Sequence, residues 1–398
     1  MTSEQQTLRD LLTAQAHRYE KKIFLESGEQ RFSFAAVDDR TDRVATGLSR
    51  LGLRAGDRIA ILLPNTPAFI FFLLGAPKLG MIPVPLDPSS PQEEILSVLW
   101  HCGATAIVTE KRFEGLRLTS PQVRHWIMVD DAAFAGQPFN GLSRGSVLGF
   151  WPDLDPDDPA LIVYQTGSSR IRKAIVLTHR NVLSNCSQIL QPFRMDETDR
   201  FLCAVPLTTS AAQVLLVLAP LAAGGACILG ESLSAGIPRT IEEKCITVLA
   251  GFPDLYRSIA SSPDFAHSEL SSLRLAVCSS GPVGEDVFRA FEDRHDALIV
   301  EGYGPPEATC LTCANPYTGV IKRGSIGLAL PGLECRIVDE KGAELPPGVP
   351  GEIVVRGPNV MKEYYRDPDG TARTLRDGWL HTGDRGAIDA DGYYHLTD

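Results

Sequence analysis

The sequence lacks an excess of basic residues. Lysine and arginine together number 38, against 49 aspartates and glutamates, so the formal net charge is −11. A protein that binds nucleic acid through a charged face carries the opposite balance, with lysine and arginine clustered on that face. The composition therefore argues against this class of protein, and we predict no nucleic-acid partner.

Long apolar runs are also missing. The two longest, residues 68–74 and 214–228, are bounded or interrupted by proline and glycine. Both are shorter than the roughly 20 apolar residues of a membrane-spanning helix. The first twenty residues are polar and have no apolar centre of a secretory signal. We predict a cytoplasmic protein without a membrane span, and a hydrophobic content of 44% is enough for large cores.

The cysteines do not form a recognisable framework. There are nine of them, an odd number scattered along 398 residues, and reduced thiols are the simplest interpretation. Cys310 and Cys313 have C-x-x-C spacing, but no second pair lies near them in the sequence. Because a structural metal site needs about four ligands, we assign no metal or redox role to this pair.

What the sequence does contain is a repeated alternation of apolar strands and helices. Helices are predicted over residues 8–19, 68–79 and 212–221, and buried strands over residues 58–63 and 104–108. After residue 160 the alternation starts again, which is typical of doubly wound parallel sheets. From residue 324 onward, polar and apolar positions alternate as in antiparallel strands. The predicted fold class is α/β, with two doubly wound α/β subdomains (1–160 and 161–320) and a small β-rich, barrel-like subdomain (321–398).

One turn joins two apolar strands and is rich in glycine and hydroxyl groups. It follows residues 160–163 and precedes residues 174–177, and Lys173 lies at its end. Backbone N–H groups, hydroxyls and a lysine together suit the binding of phosphate. The spacing is not that of a Walker loop. The alternative is a hairpin of ordinary turn residues that binds nothing.

The stretch from Tyr164 to Asn181 resembles the phosphate loop of the adenylate-forming superfamily, which includes acyl-CoA synthetases, luciferases and peptide-synthetase adenylation domains. The resemblance implies catalytic roles for Thr166 and Lys173. It implies cofactor binding by Gly167, Ser168 and Ser169. The sequence departs from the family pattern at Arg170, Arg172 and Ala174, where relatives have glycine, proline and glycine. A stiffer loop is expected from these changes, and with it slow adenylation.

Three more segments follow in the order of that family. Residues 279–283 resemble the turn beside the adenine, residues 301–307 resemble G-Y-G-x-T-E, and residues 379–384 end in T-G-D. Glycines in the second segment would let a flat ring approach the backbone. The cofactor-binding residues implied are Ser280, Gly281, Pro282, Glu301, Gly302, Tyr303, Gly304 and Asp384.

Two residues of these segments have specific implied chemistry. Glu307 is implied to be catalytic and to hold Mg²⁺ through its carboxylate. Asp384 is implied to accept hydrogen bonds from both ribose hydroxyls. Pro306 replaces a threonine of the family pattern and has no hydroxyl with which to contact a phosphate.

The substrate pocket is predicted to be mostly apolar. Residues 208–210 read Thr-Thr-Ser where acyl-activating relatives usually have an aromatic residue and then histidine. No aspartate lies between residues 206 and 218 to hold an α-amino group, which argues against an amino-acid substrate. A fatty or aromatic acid is the hypothesis. The predicted pocket residues are Thr209, Val214, Gly251, Phe252 and Cys278, with Leu216 and Ala250 beside them.

The resemblance covers residues 8–398 and implies a function. It implies an AMP-forming acyl-CoA synthetase that activates a carboxylic acid through an acyl-adenylate, with ATP, Mg²⁺ and coenzyme A as cofactors. The alternatives are a catalytically impaired relative that only binds nucleotide or acyl ligand, and an acyl-AMP ligase that loads a carrier protein. The resemblance also implies a mobile C-terminal domain with the catalytic lysine, which would follow Asp398. A homodimer is left open.

Overall fold

The computed structural model describes residues 6–130, 137–138, 146–165, 173–230, 236–292 and 297–397. Most of the predicted phosphate loop lies outside the described residues. This concerns the predicted site residues Thr166, Gly167, Ser168 and Ser169, and the departures Arg170 and Arg172. Lys173 and Ala174 are described.

Eleven α-helices are found in the described part of the chain. Most of them either follow a residue whose side chain caps the helix or have a proline in their first turn. Thr7 and Asp10, for example, form a capping box at the first helix, since each side chain accepts a hydrogen bond from the other's backbone N–H. The helices are α1 (Leu8–Tyr19), α2 (Phe34–Arg50), α3 (Pro67–Gly75), α4 (Gln92–Cys102), α5 (His179–Leu190), α6 (Ser210–Gln213), α7 (Ala219–Ala223), α8 (Ile237–Lys244), α9 (Pro253–Ser261), α10 (Glu285–Glu292) and α11 (Pro368–Thr374).

Within the described ranges the strands fall into four sheets. The first eleven are β1 (Ile23–Ser27), β2 (Gln30–Ser33), β3 (Arg58–Leu62), β4 (Ile82–Leu86), β5 (Ala106–Thr109), β6 (His125–Met128), β7 (Gln137–Pro138), β8 (Pro159–Tyr164), β9 (Ala174–Thr178), β10 (Arg200–Cys203) and β11 (Ala226–Leu229). The others are β12 (Val248–Gly251), β13 (Leu275–Cys278), β14 (Leu298–Tyr303), β15 (Cys313–Ala314), β16 (Leu328–Ala329), β17 (Glu334–Val338), β18 (Gly351–Arg356), β19 (Glu363–Tyr364), β20 (Leu375–Arg376), β21 (Trp379–Ile388) and β22 (Tyr394–Leu396).

Two of the sheets are mainly parallel. The larger has nine strands in the order β16-β15-β14-β13-β12-β10-β11-β1-β2, and it is parallel from β14 to β1. The other has five parallel strands in the order β4-β3-β5-β6-β7. Their central strands are apolar at nearly every position, because both faces of such a sheet are covered. In β3, Ile59 and Ile61 face one core and Ala60 and Leu62 face another.

The remaining two sheets are antiparallel. One joins the hairpin β8–β9 to β19. The other has the order β17-β18-β21-β20, with β22 paired to β21. The predicted fold class, two α/β units and a β-rich region, is confirmed. Strand pairing nevertheless crosses residue 160, since β1 and β2 join the nine-stranded sheet, and the domain boundaries stay a prediction.

Two predicted apolar helices are helical over their whole predicted ranges but are not regular α-helices throughout, and a proline lies in each range. The predicted helix 212–221 consists of α6, a π-helical turn at Val214–Leu218 and α7. The predicted helix 68–79 ends as α3 at Gly75 and continues as a 3-10 turn at Ala76–Leu79. Pro77 and Pro220 have no N–H group for the regular helical hydrogen bond. No helix among the described residues is long and apolar enough to cross a bilayer.

Candidate active site

The carboxyl ends of three neighbouring parallel strands meet at one edge of the nine-stranded sheet. The end of β12 with the next residue (251–252) and the segments after β13 and β14 (279–281 and 304–307) lie there. Ligands of open α/β sheets bind at such an edge, because successive loops leave a crevice there. The predicted adenine turn and the G-Y-G segment are therefore brought side by side, as parallel pairing of their strands requires.

A cavity of about 260 Å³ opens at this edge. Thr209, Gly251 and Phe252 line it, as predicted for the substrate pocket. Val214 and Cys278 do not line it, because both are fully buried in the core. Leu216 and Ala250, which were predicted to lie beside these residues, do line the cavity, together with Leu215 of the π-helical turn. Among the residues that the structure describes, the lining consists of Val205, Thr209, Ser210, Ala211, Ala212, Leu215, Leu216, Ala250, Gly251, Phe252, Ser279, Ser280, Gly304, Pro306, Thr309 and Cys310.

The wall of this cavity is almost entirely neutral. Within the described part of the chain, none of its lining residues is an aspartate, glutamate, lysine, arginine or histidine. The one thiol, that of Cys310, is fully buried, and burial raises the pKa of Cys310 well above its ordinary value. A charged substituent on a bound molecule would lose its water here without gaining a partner of opposite charge.

The glycines of the G-Y-G segment are required by the chain itself. A Cβ on Gly304 would lie 1.8 Å from the carbonyl oxygen of Cys310, and one on Gly302 would lie 3.1 Å from Leu311 Cδ2. The predicted close approach is therefore made by the protein's own residues 310 and 311. Gly304 also lines the cavity, so its predicted role beside a ligand stays a prediction.

Glu301 has a structural role that the sequence did not reveal. Its carboxylate is buried and accepts hydrogen bonds from the backbone N–H of Val283 at 3.0 Å and of Gly324 at 2.9 Å. In this way it fixes the turn that follows β13. Within that turn Ser280 lines the cavity at a φ of 65°, whereas Pro282 is exposed and is not part of the wall.

Tyr303 and Asp384 are brought together from two different sheets. The Tyr303 hydroxyl donates a hydrogen bond to Asp384 Oδ2 at 2.5 Å. Burial, followed by the hydrogen bond to Asp384, raises the pKa of Tyr303 well above its ordinary value. Asp384 is exposed on β21, and its backbone N–H donates to Thr382 Oγ1 at 3.1 Å. Tyr303 and Asp384, both predicted to bind the nucleotide, therefore share one surface.

The second polar cluster surrounds Glu307, which is 6% exposed. Glu307 Oε1 accepts hydrogen bonds from Gln165 Nε2 and from the Tyr364 hydroxyl, both at 2.6 Å. Lys173 Nζ in turn donates to the Tyr364 oxygen at 3.1 Å. Burial, and then the neighbouring Glu307 carboxylate, raise the pKa of Tyr364 well above its ordinary value. Two predicted catalytic residues, Lys173 and Glu307, are thus linked through Tyr364.

Gln165 and Tyr364 were not assigned roles from the sequence. Gln165 follows β8, and Tyr364 lies on β19, which pairs with β9. A sequence cue existed for each: Gln165 lies in the stretch that resembles the phosphate loop, at a position where the family pattern has threonine, and Tyr364 is the first of two consecutive tyrosines shortly before the T-G-D segment. Neither cue says that the side chain reaches Glu307.

Other side chains of the phosphate-loop motif face the interior. His179 is fully buried, and its Nδ1 accepts a hydrogen bond from the Leu8 N–H at 3.2 Å. Burial lowers the pKa of His179 to about 4. Asn181 Nδ2 donates to the carbonyls of Pro358 and Val360 at 2.8 and 2.7 Å. These two residues connect α5 to the N-terminus of α1 and to the segment before β19.

The sequence matches a family of AMP-binding enzymes over residues 12–365. This chain belongs to that family. It is 34% identical over 382 residues to a feruloyl-CoA synthase of Amycolatopsis sp, an alignment that covers 93% of this chain and 74% of the relative. It is 29% identical over 435 residues to a long-chain-fatty-acid–CoA ligase of Escherichia coli, covering 99% and 77%.

A solved structure supports the same fold. The anthranilate CoA ligase AuaEII in complex with anthranoyl-AMP superposes with a TM-score of 0.94, at 23% identity, over 100% of this chain and 79% of that one. The member of the AMP-binding enzyme family described here is an acid–thiol ligase of the AMP-forming type, acting through an adenylate. ATP and coenzyme A are consistent with this class of ligase.

Proposed function

We propose that this ligase activates a fatty or aromatic acid that carries no charge other than its reacting carboxylate. The observation that carries the proposal is the neutral cavity, which opens beside the turns that bear Tyr303 and Glu307. Gly304 and Pro306 belong both to that cavity wall and to the segment between these two residues. The acyl group would occupy the cavity with its carboxylate directed at this segment.

The composition of the wall supports this substrate class. A dicarboxylate would need a cation for its second charge, and an amino acid would need a carboxylate for its ammonium group. The lining residues that the structure describes include neither a cation nor a carboxylate. Burying an unpaired charge costs several kcal/mol even after the protein relaxes around it. A cavity of about 260 Å³ with Phe252 and Leu216 in its wall instead suits an aromatic or aliphatic chain.

The nucleotide would lie along the polar side of the same edge. Asp384 is exposed and carries two oxygens that suit the two vicinal hydroxyls of ribose. Tyr303 offers an aromatic face beside it. Lys173, at the end of the predicted phosphate loop, supplies a positive charge for the phosphates.

The Glu307 carboxylate fits a role in holding Mg²⁺. Mg²⁺ in phosphoryl-transfer sites is held by one or two carboxylates together with phosphate oxygens of the substrate, and Glu307 provides one such carboxylate. No group of three or more His, Cys, Asp or Glu side chains able to hold a metal occurs in the described part of the chain. When bound, the ion would offset negative charge on the phosphates.

The proposed reaction has two steps. A carboxylate oxygen of the acid attacks the α-phosphorus, and the bond from that phosphorus to the bridging oxygen of the β-phosphate breaks, releasing pyrophosphate. The coenzyme A thiol, having given up its proton to solvent, then attacks the acyl carbon, and AMP leaves as the acyl–oxygen bond breaks. Lys173 would stabilise charge in the first step, and the neutral wall would keep water away from the mixed anhydride.

A second candidate is a ligase with impaired turnover. Pro306 is favoured as the cause, because it lies in the cavity wall within the 3-10 turn Pro306–Ala308 and has no hydroxyl. Transfer to a carrier protein, a cytoplasmic location and a homodimer remain predictions.

Acid-dependent exchange of labelled pyrophosphate into ATP tests the proposal. The acids would be cinnamate, octanoate, palmitate, malonate and phenylalanine, with thioester formation from coenzyme A followed by mass spectrometry. We expect exchange with at least one of the first three and none with the last two. Leu216→Ala should change the ranking among accepted acids by about tenfold. Leu118→Ala, at a residue that is 91% exposed, is the matched control. Preference for malonate or phenylalanine would refute the proposal, and nucleotide binding without exchange would support the second candidate.

A further inference from the structure

Glu307 is held by two side chains that the proposed reaction does not itself use. The Gln165 amide and the Tyr364 hydroxyl both donate to the same oxygen, Oε1, and each contact is 2.6 Å long. The second carboxylate oxygen, Oε2, receives neither of these bonds. The carboxylate is therefore fixed by its Oε1 side.

The direction of the tyrosine proton follows from a third contact. Lys173 Nζ donates to the Tyr364 oxygen at 3.1 Å and lies 4.5 Å from the centroid of the Tyr364 ring. Because the ammonium group can only donate, the tyrosine oxygen accepts from Lys173, and its own proton points to Glu307. Charge-assisted hydrogen bonds of this kind are short and directional.

The backbone of Glu307 is fixed as well. Its carbonyl oxygen accepts a hydrogen bond from the Met361 N–H at 2.7 Å. The next segment, from Glu363 to Tyr364, pairs with β9 in register Glu363↔Val176 and Tyr364↔Ile175. Main chain and side chain of Glu307 are thus both tied to the strand pair β9–β19. Little freedom is left to the carboxylate.

We propose that Gln165 and Tyr364 are positioning residues for cation binding. They hold Glu307 by Oε1 so that Oε2 is presented to a divalent cation on the nucleotide phosphates. The inference rests on the proposed function, because only a nucleotide-binding site brings such a cation to Glu307. Hydrogen-bonded partners of a ligating carboxylate set its orientation, and losing one typically weakens metal binding about 10- to 100-fold.

Cation binding can be measured without catalysis. Mn²⁺ would be titrated into the protein in the presence of adenosine 5′-(α,β-methylene)triphosphate, which cannot release pyrophosphate, and free Mn²⁺ would be followed by electron paramagnetic resonance. The variants are Gln165→Met, which keeps the length of the side chain but removes the donor, and Tyr364→Phe. Tyr365→Phe is the matched control, since its hydroxyl donates to the Cys102 carbonyl at 3.3 Å, away from Glu307.

We expect the Mn²⁺ dissociation constant to rise about 10-fold or more in Gln165→Met and in Tyr364→Phe and to stay unchanged in Tyr365→Phe. Binding of the same nucleotide in EDTA should change less than about threefold, because Asp384 and Tyr303 are untouched. A general structural defect would weaken both measurements, and thermal melting would reveal it. Gln165→Thr, which restores the family residue, gives a second variant that lacks the amide.

The outcomes separate this inference from the proposed function. Unchanged or tighter Mn²⁺ binding in both variants would overturn the positioning role, and tighter binding would show that the Gln165 amide competes with the cation. Absence of Mn²⁺ binding by the unaltered protein would also overturn it. A third outcome is that the unaltered protein binds Mn²⁺ and both variants bind it more weakly, but no acid-dependent exchange occurs. This outcome would refute only the proposed reaction.

Discussion

The motif residues of this ligase divide into two groups that face in different directions. Glu307 and Asp384 lie at the edge where the nucleotide is proposed to bind, and each accepts a hydrogen bond from a neighbouring tyrosine. His179 and Asn181 belong to the phosphate-loop motif, yet their side chains point into the protein and form hydrogen bonds with backbone groups. Membership in a motif therefore does not by itself indicate contact with a ligand.

The comparison has an energetic consequence. Changing a residue of the first group should reduce binding or turnover and leave the free energy of unfolding nearly unchanged. Changing a residue of the second group should lower the free energy of unfolding and leave nucleotide affinity nearly unchanged. The four variants that follow are ordered from the largest expected effect to the smallest.

Glu307→Gln should reduce acid-dependent pyrophosphate exchange about 100- to 1000-fold, a loss typical of removing one electrostatic group from an active site. The amide keeps an acceptor for Gln165 and Tyr364 but has no charge to hold a cation. Thermal melting should be within a few degrees of the unaltered protein. If exchange falls by less than about threefold, Glu307 does not belong to the group of residues that act on the nucleotide.

Asp384→Ala should weaken AMP binding at least tenfold, measured by calorimetry. The substitution removes two charge-assisted hydrogen bonds to ribose, each worth roughly 1.5–3 kcal/mol. Glu340→Ala, at another exposed acidic residue of the same β-rich region, serves as the control. Unchanged AMP affinity in a folded Asp384→Ala protein would refute the assignment of Asp384 to ribose binding.

Asn181→Ala should lower the free energy of unfolding by about 2–3 kcal/mol. The Pro358 and Val360 carbonyls lose their donor, and the capping box that Asn181 forms with Thr178 at the start of α5 is lost. Urea titration would measure the change, and AMP affinity at a temperature well below the transition should stay within about threefold. A normal transition midpoint together with weak AMP binding would contradict a purely structural role.

His179 should make stability depend on pH. Burial lowers the pKa of His179 to about 4 in the folded protein, below the usual value of about 6.5 in the unfolded chain. The unfolded state therefore binds more protons between these values, and stability falls as the pH falls through this range. Between pH 7 and pH 5 the loss from this group should be about 2 kcal/mol. In His179→Asn, which keeps an acceptor for the Leu8 N–H, urea titrations at the two pH values should show that much less difference. An equal pH dependence in both proteins would mean that another group is responsible.

The alternation of strands and helices and the order of the motifs were readable from the sequence alone. Buried parallel strands need continuous apolar runs, and short motifs carry their chemistry in neighbouring residues, so both features are local. The α/β class and the AMP-binding family were predictable for this reason. Residues 166–172 lie outside the described residues, so what was predicted for them stays a prediction.

Tertiary structure alone decided which side chains meet. Gln165 is separated from Glu307 by 142 positions, and Tyr364 by 57, so no local pattern could join them. Val214 is buried in the core, whereas Leu215 and Leu216 of the same π-helical turn line the cavity, and no local pattern distinguishes these neighbouring apolar residues. Composition determines that a core forms, whereas the pairing of strands and the packing around them determine where each polar atom finds its partner.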